Sequence, residues 1–467
     1  MSFSDKIYSR LPVWGQNLAI TGYGAYWHWL RFGAGYEKSL NGYLARERWS
    51  LLEFQNWQTE RLKELLKFAI TKVPYYRRVF NEKQKNMAFA GQLEKLPLLD
   101  KESIRQSPQD FLRNDLKPVP KLIFYTSGST GTPLASYWTA SELRDSIALR
   151  ETRSAQWAGV SFKSPRATFS GRMVVPQANS KGPFYRFNSI EKQVYFSAFH
   201  LSPETAKSYV LALHKHKIEW MTGYAVSYYL LAKFIIDQNL KPPPLKAVIT
   251  TSEKLTKEMK EIMEVAYQCR VYEEYSTVEN SLFASECEKG RLHISPDVAI
   301  VEILRPDGSC CELEEPGEVV TTCLMHDFQI FVRYRIGDIA AWDSEPCHCG
   351  RQMPVLKEVL GRMEDIVIGS DGRQMVRFHG IFTNQPHVRE GQIIQETLKR
   401  IRVKIVPSHG FGQSDVLDIQ NRMHQRLGSG MEIIVEPVDF IPRTQAGKFK
   451  AVISMLDNKA LSERRSH

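Results

Sequence analysis

The sequence carries no long block of like charge, no internal repeat and no low-complexity tract. Its 62 Lys and Arg and 52 Asp and Glu are scattered over 467 residues, leaving a net charge of +10 and a pI of about 9.1. That balance favours anionic partners, nucleotides among them. Without a basic stripe or a recognition motif it argues against nucleic acid as a partner. The Walker pattern G-x-x-x-x-G-K-[ST] is missing throughout, which argues against a P-loop NTPase. Cysteine is scarce and one-sided: seven residues, Cys269, Cys287, Cys310, Cys311, Cys323, Cys347 and Cys349, all in the second half. The first residues lack the basic, apolar, small-residue order of a secretory signal. A reduced, cytoplasmic setting is therefore expected, with the cysteines as thiols or metal ligands rather than disulfides.

One stretch has no charge at all, Leu11 to Leu30, "LPVWGQNLAITGYGAYWHWL". Its length would span a bilayer. Pro12, Gly15, Gln16, Asn17, Gly22, Gly24 and His28 make it too polar and too broken to do so. It is read as packed on the main core. The alternative is peripheral contact with the inner face of a membrane, through Trp14, Trp27 and Trp29 between Arg10 and Arg31.

What is present suits a soluble globular chain too long for one small core, hence two domains or one with an appendage. "LLEFQNWQTERLKELLKFAI", 51–70, has helical apolar spacing and stops at Pro74. Short apolar runs then alternate with helical stretches, from "LIFYT" at 122 to "RVYEEYST" at 270, predicting an α/β sheet. From about 291, strand-like pieces separated by "PDG" and "EPG" turns predict a β-rich lobe. After Gly361 another mixed unit follows.

The stretch "YTSGSTGTPL", 125–134, follows the apolar run Leu122-Ile123-Phe124. Its small residues let backbone N–H groups converge on an anion, and a strand, this loop and then a helix is the expected local order. "TSGSTGTPL" resembles the phosphate loop of the adenylate-forming enzymes, which include acyl-CoA synthetases and peptide-synthetase adenylation domains. Four further motifs follow in that superfamily's order. "EEYSTVEN" (Glu273–Asn280) is similar to Tyr-Gly-x-Thr-Glu, and "RYRIGD" (Arg333–Asp338) to Tyr-Arg-Thr-Gly-Asp. "GRMEDIV" (Gly361–Val367) is similar to Gly-Arg-x-Asp-Asp, and "PRTQAGKFK" (Pro442–Lys450) to Pro-Arg-Thr-x-x-Gly-Lys. "YEEYSTVENSLFASECEKGRLHISPD" and the "CHCGR" turn resemble the phenylacetate–CoA ligase branch, nearest its relatives of capsular polysaccharide biosynthesis.

The resemblance implies a large N-terminal α/β domain of stacked sheets with a β-rich lobe, residues 1–362, opening with a helical segment, 1–80. A small mobile C-terminal α/β lid, 363–467, would cover the cleft. It implies an ATP-dependent, Mg²⁺-requiring ligase that activates a carboxylic acid as an acyl-adenylate. Thr126, Ser127, Gly128, Ser129, Thr130 and Gly131 would cradle phosphates. Glu279 would hold Mg²⁺. Asp338 would accept from the ribose hydroxyls, Tyr275 would lie on the adenine face, and Ser252 and Glu253 would line its edge. Arg362 would approach the ribose and α-phosphate. Lys448 would bridge carboxylate and α-phosphate, supplying the cation the loop lacks; Leu134 stands where relatives often carry a loop lysine. Val278 replaces a phosphate-binding threonine. Glu364 and Asp365 would form the hinge between half-reactions.

The acceptor is left open among CoA, an amine and a sugar-linked group, because Ser370-Asp371 interrupts the loop near the expected CoA path. A plain aryl- or acyl-CoA ligase is the first alternative. A catalytically weak membrane-associated assembly protein is the second, and retention of Lys448 and Asp338 argues against it. Gly223, Tyr224 and His200 are candidates for the acyl pocket. Cys287, His293, Cys347 and Cys349 would make a closed tetrahedral zinc site, with His348 as a substitute imidazole; the other reading is reduced cysteines packed in the lobe. Nothing fixes the oligomeric state.

Overall fold

A computed structural model describes residues 3–116, 121–126, 134–170, 174–175, 182–362, 367–369, 374–375, 379–382, 385–443 and 449–456. The charge-free N-terminal stretch forms one 20-residue helix, Val13–Phe32, in spite of its glycines. Gly24 has a specific use: a Cβ there would lie 2.1 Å from Asn188 Nδ2, so only glycine lets the helix cross the strand Tyr185–Asn188 so closely. Asn17 Oδ1 accepts the Phe187 N–H at 3.0 Å and ties the same two elements. The packed reading therefore holds for one face. Trp27 turns toward Phe124, 6.1 Å between ring centres, while Trp14, Leu18, Tyr23, Tyr26 and Trp29 are exposed. Among the described residues no helix is long and apolar enough to cross a membrane.

The helix predicted over 51–70 runs Leu51–Lys72. Ser50 and Glu53 cap it reciprocally, and Leu62, Leu65, Leu66, Ala69 and Ile70 face the core. It ends because Val73, preceding Pro74, takes the extended conformation (φ −106°, ψ 116°) that proline enforces.

Among the described residues the main sheet has twelve strands. One side of it is parallel: Arg270–Ser276, Ala247–Thr251, Trp220–Tyr224, Arg166–Ser170 and Gln193–Ser197 lie side by side, with Tyr185–Asn188 antiparallel at the edge. Helices Ala206–Lys215, Ala225–Asp237 and Lys257–Tyr267 connect or cover these strands, the crossover arrangement parallel pairing needs. From Phe283–Glu286 onward every added strand is antiparallel, out to Ala299–Leu304 and Gly317–Cys323. The change of texture near 291 is thus the change from parallel to antiparallel pairing.

The expected helix directly after the Ser/Gly loop is absent. Strands Leu122–Tyr125 and Ala135–Trp138 pair antiparallel, Tyr125 opposite Ala135. The helix waits until Ala140, where Thr139 and Glu142 form a capping box. The aromatic residues of "SYW" favour the strand: Tyr137 and Trp138 are buried, and Trp138 packs against Phe124.

A second sheet of four strands, in the order Glu432–Pro437, Arg400–Pro407, Val388–Thr397, Val452–Ser454, forms the last part of the chain. Helix Gln413–Leu427 packs on it, and Ile393, Ile401, Val403, Ile419, Met423 and Val452 share a core of their own.

Candidate active site

A cavity of about 980 Å³ opens at the carboxyl ends of the parallel strands. Thr126, Ser252, Glu253, Tyr275, Glu279 and Asp338 line it, together with Arg389, Glu390 and residues 449–452 of the C-terminal unit. Such strand ends are where open α/β sheets bind ligands, since the loops that leave them converge.

Each lining residue is held by a local constraint. Thr126 closes the base of the Ser/Gly loop: its N–H donates to Leu134 O at 3.0 Å, and its Oγ1 accepts the Leu134 N–H at 2.9 Å. Leu134 is wholly buried in the main core, so a lysine at this position would have to bury its charge. Ser252 takes a left-handed turn, φ 70°, straight after the strand Ala247–Thr251. Glu253 follows and accepts the Val226 N–H at 2.9 Å through Oε2. Its Oε1 accepts the Phe449 N–H, also at 2.9 Å, from the C-terminal unit.

Two hydrogen bonds couple the "EEYSTVEN" and "RYRIGD" segments. Tyr275 donates to Asp338 Oδ2 at 2.8 Å, and Tyr334 donates to Glu279 Oε1 at 2.8 Å. Tyr334 and Asp338 lie four residues apart on the strand Tyr334–Trp342, so their side chains leave the same face. Both carboxylates are almost fully covered, 7% exposed for Glu279 and 5% for Asp338. The arginines of "RYRIGD" serve the framework instead. Arg333 pairs with Glu302 and donates to Glu94 O and Leu96 O; Arg335 pairs with Glu318. Arg362 ends the strand Val355–Arg362 with its Cα opposite that of Asp338.

The chain on both sides of Lys448 is fastened to the C-terminal sheet. Gln392 donates to Lys450 O at 2.7 Å, the Ile393 N–H to Ala451 O at 2.9 Å, and Arg443 grips Glu390 with two bonds of 2.8 and 3.0 Å. Ser127, Gly128, Ser129, Thr130, Gly131, Glu364, Asp365 and Lys448 lie outside the described residues.

The family model for the CapK C-terminal domain matches residues 367–455. Protein CapK of Staphylococcus aureus is 26% identical over 467 aligned residues, spanning 96% of this chain and 99% of that protein. Phenylacetate-coenzyme A ligase of Thermus thermophilus is 22% identical over 446, spanning 85% and 96%. The structure of 2-hydroxyisobutyryl-CoA ligase in the postadenylation state, with R3-HIB-AMP, matches with a TM-score of 0.68 at 20% identity, covering 90% of this chain and 93% of that one. The chain is a homologue of CapK and of phenylacetate-coenzyme A ligase, with the adenylate-forming fold.

In this CapK homologue the acyl-pocket candidates do not line the cavity. Gly223 is where two parallel strands crowd: a Cβ would meet Phe169 O at 2.0 Å, and φ is 139°. Tyr224 is buried beneath the following helix. His200 stacks on Phe184 and lies 2.7 Å from Ser197 Oγ through Nδ1. The cavity is lined instead by Val226, Tyr229, Leu230 and Lys233, one face of the helix Ala225–Asp237, facing Met259 and Ile262. Their i, i+3, i+4, i+7 spacing was the readable signal. Burial pushes the Lys233 ammonium below its ordinary pKa, against the pull of Asp237 and Glu258.

Glu273 is a further lining residue that motif reading passed over. Burial, reinforced by the nearby Glu286 carboxylate, pushes its carboxyl up to about 7, with Lys254 and Lys260 opposing. Glu286 is engaged by Lys260 and accepts the Glu273 N–H at 3.0 Å.

Away from the cavity, the antiparallel lobe brings Cys287, His293, Cys347 and Cys349 together. One ligand atom from each lies within 4.8 Å of all the others. The imidazole in this group is His293, not His348.

Proposed function

We propose that this protein is an ATP-dependent ligase that activates a carboxylic acid as an acyl-adenylate and then transfers the acyl group. One observation carries this reading: Thr126, Ser252, Tyr275, Glu279 and Asp338, far apart in sequence, line one cavity together with the residue that follows Lys448. A carboxylate oxygen of the substrate attacks the α-phosphorus of ATP, and the bond to the bridging oxygen of pyrophosphate breaks. The acceptor then attacks the acyl carbon and AMP leaves.

Asp338 is suited to the ribose hydroxyls because it lines the cavity as a carboxylate acceptor, oriented by the bond from Tyr275 to its Oδ2. Glu279 fits Mg²⁺ in the same way: Tyr334 holds one oxygen and orients the group, leaving the other for a hard cation. Mg²⁺ would there neutralise phosphate charge. Val226, Tyr229, Leu230, Met259 and Ile262 would take the apolar body of the acid. Lys448 would bring its ammonium to the reacting oxygens, as Phe449 is joined to it by one peptide bond and reaches the cavity wall at Glu253. The acceptor is a thiol such as CoA, as the names of two relatives suggest, or an amine or sugar-linked group.

The test is a pyrophosphate-exchange screen over aromatic, aliphatic, amino and sugar acids, run beside Lys448→Ala. One class of acid should drive exchange, and Lys448→Ala should lower it by about 10²–10³-fold, the usual loss of a preorganised charge donor. ATP binding without exchange for any acid would refute the reading. Product analysis with CoA and with amines then identifies the acceptor.

A further inference from the structure

We infer that the antiparallel lobe holds a structural Zn²⁺, bound by Cys287, His293, Cys347 and Cys349. This stands apart from the ligase reading, as none of the four lines the cavity.

The spacing is that of a metal cage. Cys287 Sγ and Cys347 Sγ are 3.6 Å apart, and Cys349 Sγ lies 3.4 Å from His293 Nε2. A disulfide would need about 2.05 Å between sulfurs. A tetrahedral zinc with Zn–S of about 2.3 Å and Zn–N of about 2.0 Å sets ligand atoms roughly 3.5–3.8 Å apart. Both observed separations fall close to that range.

The surroundings prepare the ligands. His293 Nδ1 is 2.9 Å from Met353 O, so the proton sits on Nδ1 and the Nε2 lone pair faces the sulfurs. The Lys289 N–H donates to Cys287 Sγ at 3.3 Å, as a thiolate ligand favours. Three thiolates on Zn²⁺ leave one net negative charge, and Arg351, stacked 4.2 Å from the Trp157 ring centre, lies beside Cys349. Cys287 and His293 are buried, and Phe54, Trp157 and Met353 enclose the cluster. Four protein ligands leave no position for water or substrate, which makes the site structural, and three thiolates with one imidazole suit zinc over harder cations.

The topology gives the metal a task. Cys287 follows the strand Phe283–Glu286, and His293 lies on the neighbouring strand Leu292–Ile294. Cys347 and Cys349 belong to the connection that leads into the strand Val355–Arg362, which pairs with both Leu292–Ile294 and Tyr334–Trp342. The ion would pin that connection to the sheet and anchor the strand that runs to the C-terminal unit.

The experiment is metal analysis of the full chain, freshly purified under reducing conditions without added metal. One zinc per chain is expected. Cys347→Ser and Cys349→Ser should lose it and melt at lower temperature, while Cys310→Ser, at an exposed cysteine outside the cluster, should keep it. Protein produced in cobalt medium should show the strong visible bands of tetrahedral cobalt–thiolate coordination. That readout uses the unaltered chain and stands even if the serine variants do not fold. No zinc in the purified chain together with no cobalt spectrum overturns the inference, and so does full zinc content in both cluster variants.

Discussion

In the antiparallel lobe, four ligand atoms from residues 287–293 and 347–349 meet within 4.8 Å, with the outer nitrogen of His293 already bonded to Met353 O and the Cys287 sulfur accepting the Lys289 N–H. In the cleft, the facing residues come from 126, 252–253, 275–279, 338 and 449–452, and the last of these belong to a different sheet. The first group is complete within one body, so its geometry follows from strand pairing. The second is complete only while the C-terminal unit lies against the large sheet. Glu253 marks the joint: one carboxylate holds the start of the helix at Val226 and the backbone at Phe449. A closed cage stabilises one arrangement, whereas a ligase with two half-reactions must leave its second sheet able to part.

The comparison can be broken from the cleft side first. Asp338→Ala removes the Tyr275 partner and the proposed ribose acceptor together, and should weaken ATP binding about 100-fold, at the upper range for charged hydrogen bonds. Isothermal titration with ATP measures it, and the zinc content should not change. Loss of zinc in this variant would show that the two regions are one unit.

Glu253→Gln tests the joint. The amide keeps its size but lacks the second charged acceptor, so contact with Phe449 weakens. Pyrophosphate exchange should fall about tenfold, the value of one hydrogen bond to a charged group. Transfer from preformed acyl-adenylate to the acceptor should be nearly unchanged. Equal losses in both half-reactions would mean that Glu253 supports the fold rather than one domain arrangement.

The smallest effect belongs to Glu273. Its folded pKa of about 7 lies above the ordinary 4.5, so the folded chain holds a proton that the unfolded chain releases between those values. Stability contributed by this group is present below pH 4.5 and is lost as pH rises through 7. Glu273 lines the cavity and is half-buried, so water in the cleft reduces the effect to about 1 kcal/mol. Glu273→Gln should flatten the decline in melting temperature between pH 5 and 7; an unchanged slope would place the titration elsewhere.

Much of this architecture was readable before any coordinates. The helix over 51–70 was legible because Ser50, Glu53 and Pro74 mark its ends and its apolar spacing marks its face. The α/β half and the β-rich lobe were legible from alternation and turn residues. The strand after the Ser/Gly loop was not, because "ASYW" becomes a strand by pairing with Leu122–Tyr125, a partner that loop residues separate from it. The surroundings of the pocket-floor candidate Gly223 were not legible either: the Phe169 carbonyl oxygen of the adjacent strand lies 2.0 Å from where a Cβ would be, a contact that only strand pairing creates.

Local order was therefore decided by the sequence alone: where helices start and stop, the order of five motifs, and a supply of thiols and two imidazoles at two turns. Which of these residues face one another was decided by tertiary structure. Tyr275 meets Asp338 across 63 positions, Glu253 meets Phe449 across 196, and His293 rather than His348 joins the cysteines. Residue type and spacing fix backbone preference within a few turns, but contacts at such separations depend on how sheets pair and pack, which no local pattern encodes.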